Sequence, residues 1–151
     1  MREEEIKEEL EMGIRCFLDA QERSLKKGMD KFDELRILEA AFNRLFLGIE
    51  HLCNATIFFE TGNYSKRHFG DFEKLKKLKD KYDLDLAGAY QETYSFRSYG
   101  DYRKFPEIEK KFDRKHLKEE IAIIRKMIEK YMGIFKNKID VSGLLERIKG
   151  E

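Results

Sequence analysis

Leu35-Arg36-Ile37-Leu38-Glu39-Ala40-Ala41-Phe42-Asn43-Arg44-Leu45-Phe46-Leu47-Gly48-Ile49-Glu50-His51-Leu52 is the stretch whose reading decides the fold. Leu35, Leu38, Phe42, Leu45, Ile49, Leu52 and Thr56 recur at alternating spacings of three and four, the period of one helical face. The pattern predicts a helix from about Asp33 to Glu60, long enough to be the central helix of a core. An adjoining face carries Asn43, Arg44, Leu47, His51 and Asn54 in place of the usual Lys and Glu. A covered surface accounts for that face in three ways: a homodimer contact, the wall of a site, or polar groups satisfied beneath a neighbouring helix.

The stretches on either side read the same way. Ile6, Leu10, Ile14, Phe17, Leu18 and Leu25 predict a first helix from about Glu3 to Lys27, with Gly28 ending it. Thr61-Gly62-Asn63 breaks the central helix, and Ser65 suits the cap of a third over about Lys66 to Tyr82, with Phe69, Phe72, Leu75 and Leu78 facing inward. A fourth helix is expected from about Asp85 to Tyr99, with Leu86, Tyr90, Thr93 and Arg97 on one face and Gly100 as its cap. Pro106 closes an irregular segment. Leu117, Ile121, Ile124, Ile128, Tyr131 and Phe135 then predict a fifth helix from about Asp113 to Lys136, and residues 137–151 hold enough apolar side chains for a short helix docked on the body. The expected architecture is an all-α antiparallel bundle of about five helices plus this short C-terminal one, in a single domain over residues 1–151.

Composition agrees with helices. The chain has 151 residues, 41% of them hydrophobic and 40% charged, with a single proline. That is apolar enough to bury a core, and the abundance of Lys and Glu with few Asn and Gln resembles heat-adapted proteins. A formal net charge of +1 gives no global attraction to polyanions, so a nucleic-acid site must come from local clustering. Lysines crowd residues 66–81, where a solvated helix face is the ordinary explanation. The charged N-terminal residues and the lack of a long apolar run point to a cytoplasmic protein with no membrane segment. Cys16 and Cys53 sit among apolar helix positions without ligand spacing, so both are expected to be buried thiols, and neither a metal nor a cofactor is expected.

The chemistry-bearing stretch is Tyr94-Ser95-Phe96-Arg97-Ser98-Tyr99-Gly100-Asp101-Tyr102. It brings a fixed cation, a carboxylate and a phenol together at a helix end, where they could form an anion or phosphate site or a capping salt bridge.

Three segments resemble the HEPN family, the small all-helical "higher eukaryotes and prokaryotes nucleotide-binding" domains. Ala40 to Phe46, running on to His51, is similar to the family's central helix with its aromatic-Asn-Arg-aromatic pattern. Gly62 to Gly70 is similar to the link in which a Lys and a His precede the third helix, here Lys66, Arg67 and His68. Phe96 to Tyr102 is similar to the branch whose motif reads Arg-Asn-x-Ala-Asp-Tyr, and the whole likeness spans about residues 33–132. The resemblance implies a homodimer that binds RNA or a nucleotide, a metal-free ribonuclease toxin as one form of that activity, and a minimal nucleotidyltransferase as antitoxin partner. By position it makes Arg97 the motif arginine and puts Tyr102 where the nuclease motif, Arg-x4-6-His, has histidine. Ser98 replaces the motif's Asn.

Metal-free RNA cleavage needs a base for the 2′-hydroxyl, an acid for the leaving oxygen and a cation for the charged transition state. Arg97 is the candidate cation. A phenol, with an ordinary pKa of about 10, is a poor base at neutral pH, so Tyr102 is a candidate proton or hydrogen-bond donor, and His68 or His51 a candidate base. Asp101 is expected to orient Arg97, with Arg44, His51, Lys66 and Arg67 as further binding residues. A non-catalytic interaction module and a purely structural bundle are the competing readings.

Overall fold

In a computed structural model the described residues are 2–62, 72–135, 143 and 146. They form five α-helices: α1 Arg2–Ser24, α2 Lys31–Thr61, α3 Phe72–Tyr82, α4 Leu86–Tyr102 and α5 Arg114–Phe135. A 3-10 helix, Pro106–Lys111, precedes α5, and the described residues contain no strand. The chain is an all-α helical bundle. The expected cap at Ser65, the inward-facing Phe69 and the C-terminal helix fall outside the described residues.

Helix α2 is the axis. Its start is set by reciprocal capping, in which the Asp30 side chain accepts from Asp33 N at 2.8 Å and the Asp33 carboxylate accepts from Met29 N at 2.9 Å. Its end is set by Gly62 in the left-handed conformation, φ 74°, whose N–H donates to Phe58 O. All but one of its stripe residues, Leu38, Phe42, Leu45, Ile49, Leu52 and Thr56, are buried, and Leu35 is half-buried. The stripe of α5 is buried from Leu117 to Phe135.

Pairings between named residues fix the directions. Glu9 meets His51 and Asp19 meets Arg44, so α1 runs antiparallel to α2. Phe42 meets Phe96 and Phe46 meets Tyr90, so α4 does too. Helix α5 runs parallel to α2, since Arg114 holds Glu34 while Phe135 packs on Phe59. It is therefore antiparallel to α1 and α4.

The α1–α2 approach is unusually close because glycines face each other. A Cβ on Gly13 would stand 3.1 Å from Gly48 O, and one on Gly48 would stand 3.1 Å from Gly13 O. On the other side of α2 the contact is aromatic, with Phe42 stacked on Phe96 at 4.4 Å and tilted against Phe112 at 4.9 Å. Truncating a ring in such a site removes about 3–5 kcal/mol of stability. Arg114 closes the end of the bundle. Its guanidinium donates to both Glu34 oxygens and to the Ser24 carbonyl, joining the ends of three helices.

Two boundaries differ from the sequence expectation. Helix α1 stops at Ser24, where the Ser24 hydroxyl turns back to Gln21 O, and this leaves Leu25 74% exposed instead of on the core face. Helix α4 does not end at Gly100. It continues to Tyr102 and is capped by Arg103 at φ 57°. Gly100 serves packing instead, because a Cβ there would lie 3.1 Å from the Phe112 ring. Cys53 is buried as expected, whereas Cys16 is only half-buried.

Candidate functional site

The last turns of α4 gather Arg97, Asp101 and Tyr102. One helical turn separates the first two, and Arg97 Nε stands 3.1 Å from Asp101 Oδ2. That Nε is shielded from solvent and, among the described residues, lies outside hydrogen-bond geometry toward any acceptor, so its contact with Asp101 is an ion pair without a formed hydrogen bond. The guanidinium carbon lies 5.4 Å from the Phe46 ring centre and 5.8 Å from that of Tyr102. Flanking by two aromatic rings and one carboxylate fixes the arginine while leaving it 29% exposed.

Tyr102 is the most open member, 62% exposed. Lys104 Nζ lies 5.7 Å from its ring centre, so two cations lie near the ring. Arg103 is differently engaged. Its Nη1 donates to the carbonyls of Tyr99 and Gly100, at 2.9 and 2.7 Å, and its Nη2 to Glu39 Oε1 at 3.2 Å. These bonds satisfy helix-end carbonyls and offset the negative pole of α4, which otherwise disfavours an anion nearby. The surface that remains is an exposed aromatic ring with Arg97 and Lys104 beside it.

Arg44 and His51 lie elsewhere. Both are on the α1 side of α2, where Arg44 Nε pairs with Asp19 Oδ2 at 2.9 Å and His51 Nδ1 lies 2.8 Å from Glu9 Oε2. Phe46, which meets Arg97, is on the side of α2 that faces α4. Two polar residues of that face, Arg44 and His51, are thus paired with carboxylates of α1, and neither is brought to Arg97. The Cys16 sulfur and then the Glu9 carboxylate push the His51 pKa up to about 9, against the opposing effect of burial. His68, Lys66 and Arg67 lie outside the described residues. The remaining histidine, His116, lies in the first turn of α5, where the Asp113 carboxylate caps the helix by accepting from its backbone N–H and also meets its ring Nδ1.

Phe46 and Lys104 are the residues of this surface that the sequence did not assign a role. Lys104 was visible as a nearby charge. The Phe46 contact depends on α2 and α4 packing antiparallel, which spacing within one helix does not reveal. Among the described residues no three His, Cys, Asp or Glu side chains gather as a metal-binding group, and no helix is long and apolar enough to cross a membrane.

Comparison with family models, with curated proteins and with solved structures found no match to this chain.

Proposed function

We propose that this chain is a cytoplasmic HEPN-like protein that acts as a homodimer and binds RNA or a nucleotide at the end of α4. The observation that carries the reading is Arg97, held by Asp101 and two aromatic rings, beside an exposed Tyr102 that also has Lys104 over it. A fixed guanidinium fits phosphate oxygens, and an exposed ring flanked by cations offers a stacking surface to a base. The likeness of Phe96 to Tyr102 to the Arg-Asn-x-Ala-Asp-Tyr motif supports the same assignment. On that resemblance the partner is a minimal nucleotidyltransferase, and the pair is a toxin and its antitoxin.

Between binding and cleavage, the described residues favour binding. Cleavage needs a base beside Arg97, and His51 is engaged with Glu9 on the far side of α2. The second reading is a non-catalytic module that partners a nucleotidyltransferase, and His68 is the imidazole from which a nuclease would draw its base. The deciding experiment is cleavage and binding of a mixed RNA substrate in EDTA by the parent protein and by Arg97→Ala, purified identically. Metal-free cleavage lost in the variant establishes a nuclease built on Arg97. Binding without cleavage, weakened in the variant, establishes the module, and an RNA affinity identical in both proteins rejects the site.

A further inference from the structure

The seam between α1 and α2 gathers a thiol, an imidazole and a carboxylate. Gly13 and Gly48 bring the helices together there, and each glycine borders one of the reactive side chains. A Cβ on Gly48 would stand 3.7 Å from Cys16 Cβ, and one on Gly13 would stand 3.3 Å from His51 Cβ. Side chains on a helix lean toward its N-terminus, so in this antiparallel pair Cys16 and His51 lean toward each other. The sulfur is accordingly the foremost cause of the raised His51 pKa. Glu9 holds the ring in place, with its Oε2 2.8 Å from His51 Nδ1 and its side chain almost wholly buried.

A nucleophile, a base beside it and a third group that orients the base are the parts that activate a weak nucleophile. A buried carboxylate on one ring nitrogen strengthens the hold of the imidazole on a proton, and an imidazolium beside a thiol favours the thiolate. The two cysteines of the chain therefore differ in kind. Cys53 is buried, and burial pushes its thiol up, which makes it inert. Cys16 is half-buried and lines an open cavity of about 420 Å³, together with Arg15, Asp19, Arg23 and Arg44. Charged walls of both signs suit a polar reagent arriving from water better than an apolar one.

We infer that Cys16 is a modification site, whose sulfur, prepared by His51 and Glu9, exchanges with a small polar disulfide admitted through this cavity. The Cys16 sulfur attacks one sulfur of the disulfide, the S–S bond of the reagent breaks, and a new S–S bond forms to Cys16. The proton that left the Cys16 thiol, held on His51, passes to the departing thiolate. One thiol is consumed and one released, with the disulfide as the oxidant. Arg97 lies on the opposite side of α2, so the inference does not rest on RNA binding.

The test treats the full chain at neutral pH with hydroxyethyl disulfide and follows the adduct by intact mass and peptide mapping. A single adduct on Cys16 is expected, formed at least about fivefold faster than on Cys16 of the urea-unfolded chain at the same pH. His51→Gln should slow it about tenfold, and Glu9→Gln by a smaller factor. Labelling of Cys53 reports any variant that has unfolded, and a second readout needs no variant. In the thiolated protein the His51 ring, followed by NMR, should titrate below about 9, because the largest effect that raises it is gone. A Cys16 rate no faster than in the unfolded chain, an undiminished rate in a folded His51→Gln variant, or an unmoved His51 titration would each overturn the proposal.

Discussion

His51 on α2 and Glu9 on α1 meet at 2.8 Å across the seam where Gly13 and Gly48 bring the two helices together. Glu9 is only 5% exposed, so this is a carboxylate held in the interior opposite an imidazole. His51 has a folded pKa of about 9, above its ordinary 6.5. A raised pKa contributes stability that is fully present below about pH 6.5 and is lost as pH rises through 9. The chain should lose on the order of 1–2 kcal/mol between pH 6.5 and 9.5 from this site, discounted for its partial exposure. Urea unfolding at both pH values checks this, and His51→Gln should flatten the difference.

Glu120 gives a second, separate pH dependence. Burial first, then the charge of Glu92 across the α4–α5 interface, pushes its pKa up to about 8. A carboxyl group that keeps its proton in the fold favours the fold below about pH 4.5, and that advantage disappears as pH rises through 8. Glu120→Gln mimics the protonated form. The variant should match the parent near pH 5 and exceed it by roughly 1–2 kcal/mol at pH 9. Unchanged relative stability across that range would show that burial does not keep Glu120 protonated in the fold.

Gly48→Ala should destabilise by about 1–3 kcal/mol, since the new methyl would lie 3.1 Å from Gly13 O, which belongs to a helix backbone and cannot rotate aside. Gly133→Ala provides the control. Among the described residues nothing lies within 4 Å of a Cβ at that position, so the same change should leave the protein unaffected or slightly more stable. Thermal melts of the pair separate packing from helix propensity.

Arg114→Ala should remove about 1–3 kcal/mol. The guanidinium holds Glu34 below the usual carboxylate range through its hydrogen bond and also satisfies the Ser24 carbonyl. Arg114→Lys should restore only part of the loss, because an ammonium cannot reproduce the forked contact to both Glu34 oxygens. Chemical denaturation of the three proteins checks the order parent, Lys variant, Ala variant.

The bundle was legible because the stripes of α2 and α5 announce their buried sides directly: every stripe residue of α5, and all but Leu35 on α2, is buried. Caps were legible where the signal is local, as at Gly62. The end of α4 was not, because Gly100 has two possible uses and sequence does not show Phe112 packed against it. At the candidate site, Asp101 was expected to orient Arg97 by turning back beyond a helix end at Gly100, and the two meet instead one turn apart within α4. Whether Arg44 and His51 belonged with them depended on which neighbour covers each side of α2. That is a property of tertiary packing, and the neighbour on their side is α1.

Arg103 meets two demands that favour different amino acids. Its left-handed backbone suits glycine or asparagine, while the carbonyls it caps call for a long cation. Arg103 and Phe105 together make a bend with two left-handed residues and no glycine. Such a bend surrenders less freedom on folding than a glycine-built one, because its unfolded chain explores fewer conformations. The strain of two left-handed residues opposes that gain, and the carbonyl bonds of Arg103 offset it, so the path the chain takes out of α4 is set by a side chain at its cap.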